Sequence, residues 1–434
     1  MQSATEHPSA TTPATDLPSP RRDAGLMLAS GVVLRCCGLV FVMVLSRRLS
    51  EHDIGVFFFA EALADTLIVI ANFSLDTVVF RQVSAQPPAQ ATTTFAPLLG
   101  FRLISGPVYL LCLFVFSRFE TGPLRWLLPL VGFYTLVESV FFSFGGMFVG
   151  VGRVGAKATL EVMTELLYTA GFLLAVYRWP SLETLVIASS IRAAMLLFGS
   201  LFITRRWIGP VHVSIDWKIV AAGLPFLLMT LLALLQGRTE TMLLGLLSTF
   251  SATAAYQLSS RLTVAAMFIP QAINLALFRH LAADGLTAVN RRRLGRSLGL
   301  LALFGGIIAT GMVVRPDPVA RMMFGATAPT VVPVLRAMAP VLLLRFLVTG
   351  LASALMGLGR EKHVFRCLLA GTIAGLIADL LLIPRLGAAG AADGLLVSGM
   401  LQLAMMGIST TSLVARSRAA EAIAPANLLM APAI

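Results

Sequence analysis

"LASGVVLRCCGLVFVMVLSRRLS", residues 28–50, places a single arginine inside an otherwise apolar run. The run extends from Ala24 to Ser46. As a helix rising ~1.5 Å per residue it would be about 34 Å long, enough to cross a bilayer. Its only charge, Arg35, would then lie near the midplane, where a guanidinium costs about 3 kcal/mol or more. A charge kept at that cost is expected to face a polar cavity or a charged partner.

Runs of the same kind recur along the chain, near residues 24–46, 55–79, 96–117, 124–149, 159–177, 183–203, 219–237, 241–278, 297–314, 333–357, 364–383 and 389–413. Of the 434 residues 57% are hydrophobic and only 12% charged, against about a quarter charged in a soluble domain. Mean hydropathy is +0.86. Lipid forces backbone polar groups to pair within helices or closed barrels, and a barrel would show short alternating segments rather than unbroken apolar runs. The expectation is an all-α polytopic membrane protein of about twelve transmembrane helices. Residues 1–23, rich in Pro, Ser, Thr and Ala, read as a disordered cytoplasmic tail. A six-helix lobe follows over 24–207, a second over 208–414, and a cytoplasmic tail over 415–434. The run after the N-terminal tail is too long for the core of a cleavable signal.

Placing the N-terminus inside assigns eighteen basic residues to cytoplasmic loops and nine, Arg238 among them, to the opposite side, with six inside spans. That bias agrees with the positive-inside rule and puts both termini in the cytoplasm. The cluster "NRRRLGR" (290–296) reads as an anchor on anionic membrane lipids. It lacks the interleaved aromatics and the soluble domain of a nucleic-acid site. "FVGVGR" (148–153) and "LMGLGR" (355–360) match at an offset of 207 residues, pairing Gly152 with Gly359 and Arg153 with Arg360. Six spans separate them, so the lobes are expected to be parallel repeats around a central cleft.

Ionic residues within the spans are the candidates for function. Arg35, Arg192, Arg261 and Arg345 are expected to line a cationic cleft, since a guanidinium fork suits phosphate. Glu61 and Asp65, spaced i, i+4 on one helix face, with Glu138 and Asp379, are candidates for ion coupling or for pairing with those arginines. Structural ion pairing is the competing reading for each. The four cysteines, Cys36, Cys37, Cys112 and Cys367, all lie in apolar runs without metal-type spacing. No nucleophile elbow, phosphate loop or metal cluster is present, so neither an enzyme nor a bound cofactor or metal is expected.

Several stretches together resemble the polysaccharide/O-antigen flippases of the multidrug/oligosaccharidyl-lipid/polysaccharide exporter superfamily. "LRCCGLVFVMVLSRRLSEHDIGVFFFAEAL" is similar to that family's first two helices, with Arg47 or Arg48 at the turn and Asp53 and Gly55 opening the second. "FSLDTVVFRQVSA" resembles its G-L-D-x-x-x-x-R close, through Asp76 and Arg81, with Ser74 where glycine is common. "GLPFLLMTLLALLQGRTETMLLGLLSTFSATAAYQLSSRL" is similar to helices seven and eight, through Pro225, Tyr256 and Arg261, with Glu240 in place of an Asp expected after the seventh. "LIPRLGAAGAADGLLVSG" (382–399) resembles the turn before the last spans. The resemblance covers roughly 24–413 and implies an inner-membrane flippase that moves undecaprenyl-pyrophosphate-linked oligosaccharides by alternating access, driven by an ion gradient. Lipid-linked oligosaccharide and membrane lipids are the implied partners, with a polysaccharide polymerase or other assembly proteins as candidates. The rivals are a peptidoglycan-precursor flippase, which usually carries two further helices, a multidrug exporter, and a non-transporting scaffold of a polysaccharide assembly complex.

Overall fold

Helix follows helix because nearly every segment is too apolar to be exposed as a loop. The computed structural model describes residues 20–429, and no strand occurs among them. The first half of the chain forms α1 (Pro20–Arg48), α2 (Glu51–Asn72), α3 (Leu75–Ser84), α4 (Ala91–Phe119), α5 (Leu124–Gly150), α6 (Val154–Arg178) and α7 (Leu182–Trp207). The second forms α8 (Trp217–Leu247), α9 (Phe250–Ala266), α10 (Phe268–Asp284), α11 (Ala288–Val314), α12 (Pro316–Phe324), α13 (Ala328–Gly357), α14 (Glu361–Leu386) and α15 (Ala388–Leu429). Among the described residues, 11 stretches are long and apolar enough to cross a membrane. The 31-residue α8 is not counted among them, against about twelve spans expected.

Residues 1–19 and 430–434 of the expected tails lie outside the described residues. Residues 20–23 already belong to α1, and α15 continues through Leu429. The interval 80–95, left between two expected spans, holds the second half of α3, a 3-10 turn at Pro88–Gln90 and the start of α4, while 315–332 holds α12. The division between the seventh and eighth spans also moves: α8 runs on to Leu247, so Arg238 is inside a helix rather than in an outer loop. Glu240 likewise lies within α8 rather than after it.

The two lobes meet along α2, which packs on α5 and α4 of its own lobe and on α8 and α9 of the other. Its residues Ile54 to Ala60 are buried without interruption because both faces are covered. Gly55 is the point of closest approach: a Cβ there would fall 1.8 Å from the carbonyl oxygen of Phe250. No larger residue fits. The N-termini of α2 and α9 are built alike. Ser50 accepts from the Asp53 amide at 3.1 Å and Thr249 from the Ala252 amide at 3.2 Å, so each side chain pairs an amide that the first helical turn leaves open.

The glycine turns at the ends of α5 and α13 are the same motif. Gly152 (φ 80) and Gly359 (φ 70) take the left-handed conformation that costs a residue with a Cβ about 1–2 kcal/mol. In the first turn Gly152 N–H donates to Val149 O at 3.0 Å and Arg153 N–H to Phe148 O at 2.7 Å. In the second, Gly359 N–H donates to Met356 O at 3.0 Å and Arg360 N–H to Leu355 O at 2.9 Å. Both are Schellman closures, at the offset of 207 read from the sequence.

The second span of each half is broken. Between α2 and α3, Phe73 and Ser74 both adopt left-handed backbone (φ 52 and 53), and Ser74 Oγ donates to Thr230 Oγ1 of α8 at 2.8 Å. The glycine-to-serine departure therefore falls where the backbone favours glycine. Between α9 and α10 the break is at Met267, whose N–H turns to Val264 O at 3.2 Å. Pro270 accounts for it, since its ring removes one helical donor and crowds the carbonyl of residue 266.

Candidate functional site

Three cavities run in sequence from the α1–α9 side of the molecule to the seam between α2 and α8, each sharing residues with the next. The first is a portal of about 340 Å³ that includes Arg35, Gly38, Arg261 and Val264. Two guanidinium groups and no carboxylate line it. Arg35 donates to Gln271 Oε1 of α10 at 2.8 Å and to Gly31 O, one turn back, at 3.2 Å. Its guanidinium also sits 5.4 Å from the Phe268 ring centre. Arg35 is thus held by amide, carbonyl and ring, with no acid against it among the described residues.

The middle cavity, about 150 Å³, shares Gly38 and Arg261 with the portal and adds Glu61, Tyr134, Glu165, Tyr168 and Arg192. Arg261 approaches Glu61 Oε2 at 3.7 Å and lies 5.4 Å from the Phe58 ring centre. Arg192 donates to both Glu138 oxygens at 2.8 Å and to Glu165 at 3.3 Å, so one guanidinium holds two carboxylates. Tyr134 is 3% exposed, and its hydroxyl has no hydrogen-bond partner.

The third cavity, about 420 Å³, shares Glu61 and Arg192 with the middle cavity and adds Asp65, Asp76, Glu138 and Arg238. Arg238 of α8 pairs with Asp65 of α2, joining the lobes. Asp76, carried into place by the α2–α3 break, accepts both of its hydrogen bonds from Arg102 at 3.0 Å. Arg102 is itself buried and also donates to Asn72 and Ser139, each at 2.6 Å.

The structure thus brings together Arg35, Arg192, Arg261, Glu61, Asp65 and Glu138 along one path. Arg345 and Asp379 are elsewhere. They line a separate chamber of about 100 Å³ inside the C-terminal lobe, with Glu240, Gln236, Thr372 and Gln402. Asp379 there is 2% exposed and one of its oxygens has no partner. Tyr256 is buried among the α9 residues that pack on α8. Arg81 and Arg153 lie outside all these cavities, 5.7 Å from the rings of Phe226 and Trp207 respectively, and Arg360 is exposed next to its glycine turn.

Arg238, Tyr134 and Gln271 are site residues that sequence reasoning missed. Residues 238–240 ("RTE") fall between the two expected spans because all three are polar, yet they are helix between two polar cavities. Gln236 and Glu240, one turn apart, face the C-terminal chamber, while Leu234 and Arg238, also one turn apart, face the N-terminal one. The i, i+4 spacing on both faces was the available signal.

A family model for polysaccharide biosynthesis proteins matches residues 21–278. The chain belongs to that family. No curated protein matches the chain by sequence. Solved structures similar to it include the lipid II flippase MurJ in an inward closed conformation, at 12% identity and a TM-score of 0.73, covering 90% of this chain and 87% of that one. The MATE multidrug transporter DinF-BH is 16% identical with a TM-score of 0.62, covering 93% and 97%. A transporter of the MOP superfamily from Pyrococcus furiosus is 14% identical with a TM-score of 0.59, covering 91% and 95%. The chain therefore shares the two-lobed fold of these transporters.

Proposed function

We propose that the protein is a flippase that carries undecaprenyl-pyrophosphate-linked oligosaccharide repeat units from the cytoplasmic to the periplasmic leaflet of a bacterial inner membrane, by alternating access, for exopolysaccharide or O-antigen assembly. Both termini are cytoplasmic in this reading. Family membership supports a role in polysaccharide assembly, and the fold supports transport. The observation that carries the proposal is the portal, where Arg35 and Arg261 line one cavity without a carboxylate. Such a pair suits a pyrophosphate, whose charge calls for several donors.

The test is export in a flippase-deficient strain, scored by accumulation of lipid-linked intermediate. Arg35→Ala is expected to abolish most transport while the protein still inserts and unfolds at nearly the wild-type temperature. Arg35→Lys is expected to retain part of it, keeping the charge and losing the fork. A stable Arg35→Ala protein that exports at the wild-type rate would sink the proposal. A second reading, export of cationic drugs, draws on the carboxylates of the third cavity. It predicts ethidium efflux that depends on Asp65 and is indifferent to Arg35.

A further inference from the structure

Tyr168 and Arg192, which line the middle cavity, also line a groove between α6 and α7. The groove holds about 330 Å³, within the roughly 300–1,000 Å³ of small-molecule pockets. Its walls are apolar, and Leu167, Ile187 and Ile191 among them are each more than half exposed. The small residues Gly171 and Ala188 leave it open, and a Cβ at Gly171 would meet nothing within 4 Å. Where the groove shares residues with the middle cavity, the Arg192 guanidinium lies 5.3 Å from the Tyr168 ring centre. The Tyr168 hydroxyl is 3.3 Å from Ser189 Oγ.

The groove and the portal open at different depths. Helices α1 and α6 pack side by side and run the same way: the Phe41 and Phe172 rings are 4.8 Å apart, and the Arg48 guanidinium lies 4.4 Å from the Tyr177 ring centre. Phe172, in the groove, is therefore level with Phe41, about 9 Å further along α1 than Arg35 of the portal. Trp179, also in the groove, lies in the α6–α7 turn. With the termini in the cytoplasm that turn is periplasmic. The portal then opens nearer the cytoplasmic leaflet, the groove opens in the periplasmic half, and the middle cavity touches both.

A lipid-linked cargo keeps its chain in lipid while its head is inside the protein, because every methylene favours an apolar surround over water. A carrier that takes the chain from one leaflet and delivers it to the other needs an apolar opening at each level. We infer that the α6–α7 groove is the exit for the isoprenoid chain of the cargo into the periplasmic leaflet, with Tyr168 and Arg192 as the shutter between groove and cavity. The shutter is closed in this structure, where Glu138 and Glu165 hold Arg192. The inference rests on the lipid-linked reading and on cytoplasmic termini, and adds a second opening to them.

The test is export in the flippase-deficient strain by the series Gly171→Ala, Gly171→Val and Gly171→Leu. Export should fall in step with side-chain size, to roughly a tenth of wild type with leucine, as apolar surface offered to the chain is taken up. Thermal midpoints in detergent should hold or rise, since glycine is the poorest helix former of the four. The purified variants should bind farnesyl pyrophosphate as tightly as wild type. Ile187→Trp, which fills the groove from an exposed rim position, should act like Gly171→Leu. Ala302→Leu, which adds bulk to the exposed face of α11, should leave export unchanged. Wild-type export by both Gly171→Leu and Ile187→Trp, the outcome if the groove holds only a membrane phospholipid, overturns the inference and leaves the portal reading standing. An equal loss of export in Ala302→Leu, or loss of farnesyl pyrophosphate binding in the groove variants, does the same. Failure of the wild-type protein to bind farnesyl pyrophosphate, with normal export by Arg35→Ala, overturns both.

Discussion

Arg192 and Arg35 occupy similar depths in their helices and have opposite surroundings. Arg192 holds Glu138 and Glu165 and lies 5.3 Å from the Tyr168 ring centre. Arg35 meets an amide oxygen, a backbone carbonyl and a ring. Removing Arg192 leaves two charges half-buried without compensation, and breaking a buried pair costs about 3–5 kcal/mol. Arg192→Ala should therefore unfold at a clearly lower temperature in detergent than Arg35→Ala, and Glu138→Gln added to Arg192→Ala should recover part of the loss. Equal midpoints for the two single variants would show that the pairs contribute nothing. The sequence marks both residues as charges inside a span, but the partners of Arg192 lie 54 and 27 residues away on α5 and α6. Which arginines were already neutralised was a matter of tertiary packing, and no spacing rule reaches that far.

Among the elements, spans and glycine turns were legible because both depend on local chemistry: an unbroken apolar run in one case, a left-handed backbone after a helix in the other. Gly152→Ala and Gly359→Ala should each cost about 1–2 kcal/mol from strain at positive φ, seen as similar drops in thermal midpoint. A drop at only one site would mean that the turns are not equivalent in load. Ser74, left-handed without being glycine, should tolerate Gly and reject Val, since a β-branched residue there is a genuine outlier. Pro270 marks the α9–α10 break in the sequence, but the α2–α3 break was not legible. Phe73 and Ser74 are bent where α2 passes α8, with the Thr230 hydroxyl and the Gly223 backbone pressed against them, and that contact belongs to another span.

For the whole molecule, the seam along α2 is what must open if the two lobes alternate. Ser74 Oγ and Thr230 Oγ1, 2.8 Å apart, belong to opposite lobes and both sit on Cβ, so Ser74→Cys with Thr230→Cys is close enough to form a disulfide. Oxidising that pair should arrest export and reducing it should restore it, with neither single variant affected by oxidant. Export that continues through the cross-linked state would show that this part of the seam stays closed throughout the cycle.

The ion pair between Asp65 and Arg238 spans that same seam, and Arg261 faces Glu61 across it. Parting the lobes therefore separates opposite charges as well as greasy surfaces, and each charge then needs something else to face. Water entering a narrow slot solvates them poorly, whereas a cargo carrying both phosphate and hydroxyl groups offers a replacement for either sign. In the proposed cycle an unloaded protein would be held shut by its own salt bridges, and the barrier to turning over would fall when cargo takes their place. Under the proposed function, idle rocking would then be suppressed by the same residues that receive the load.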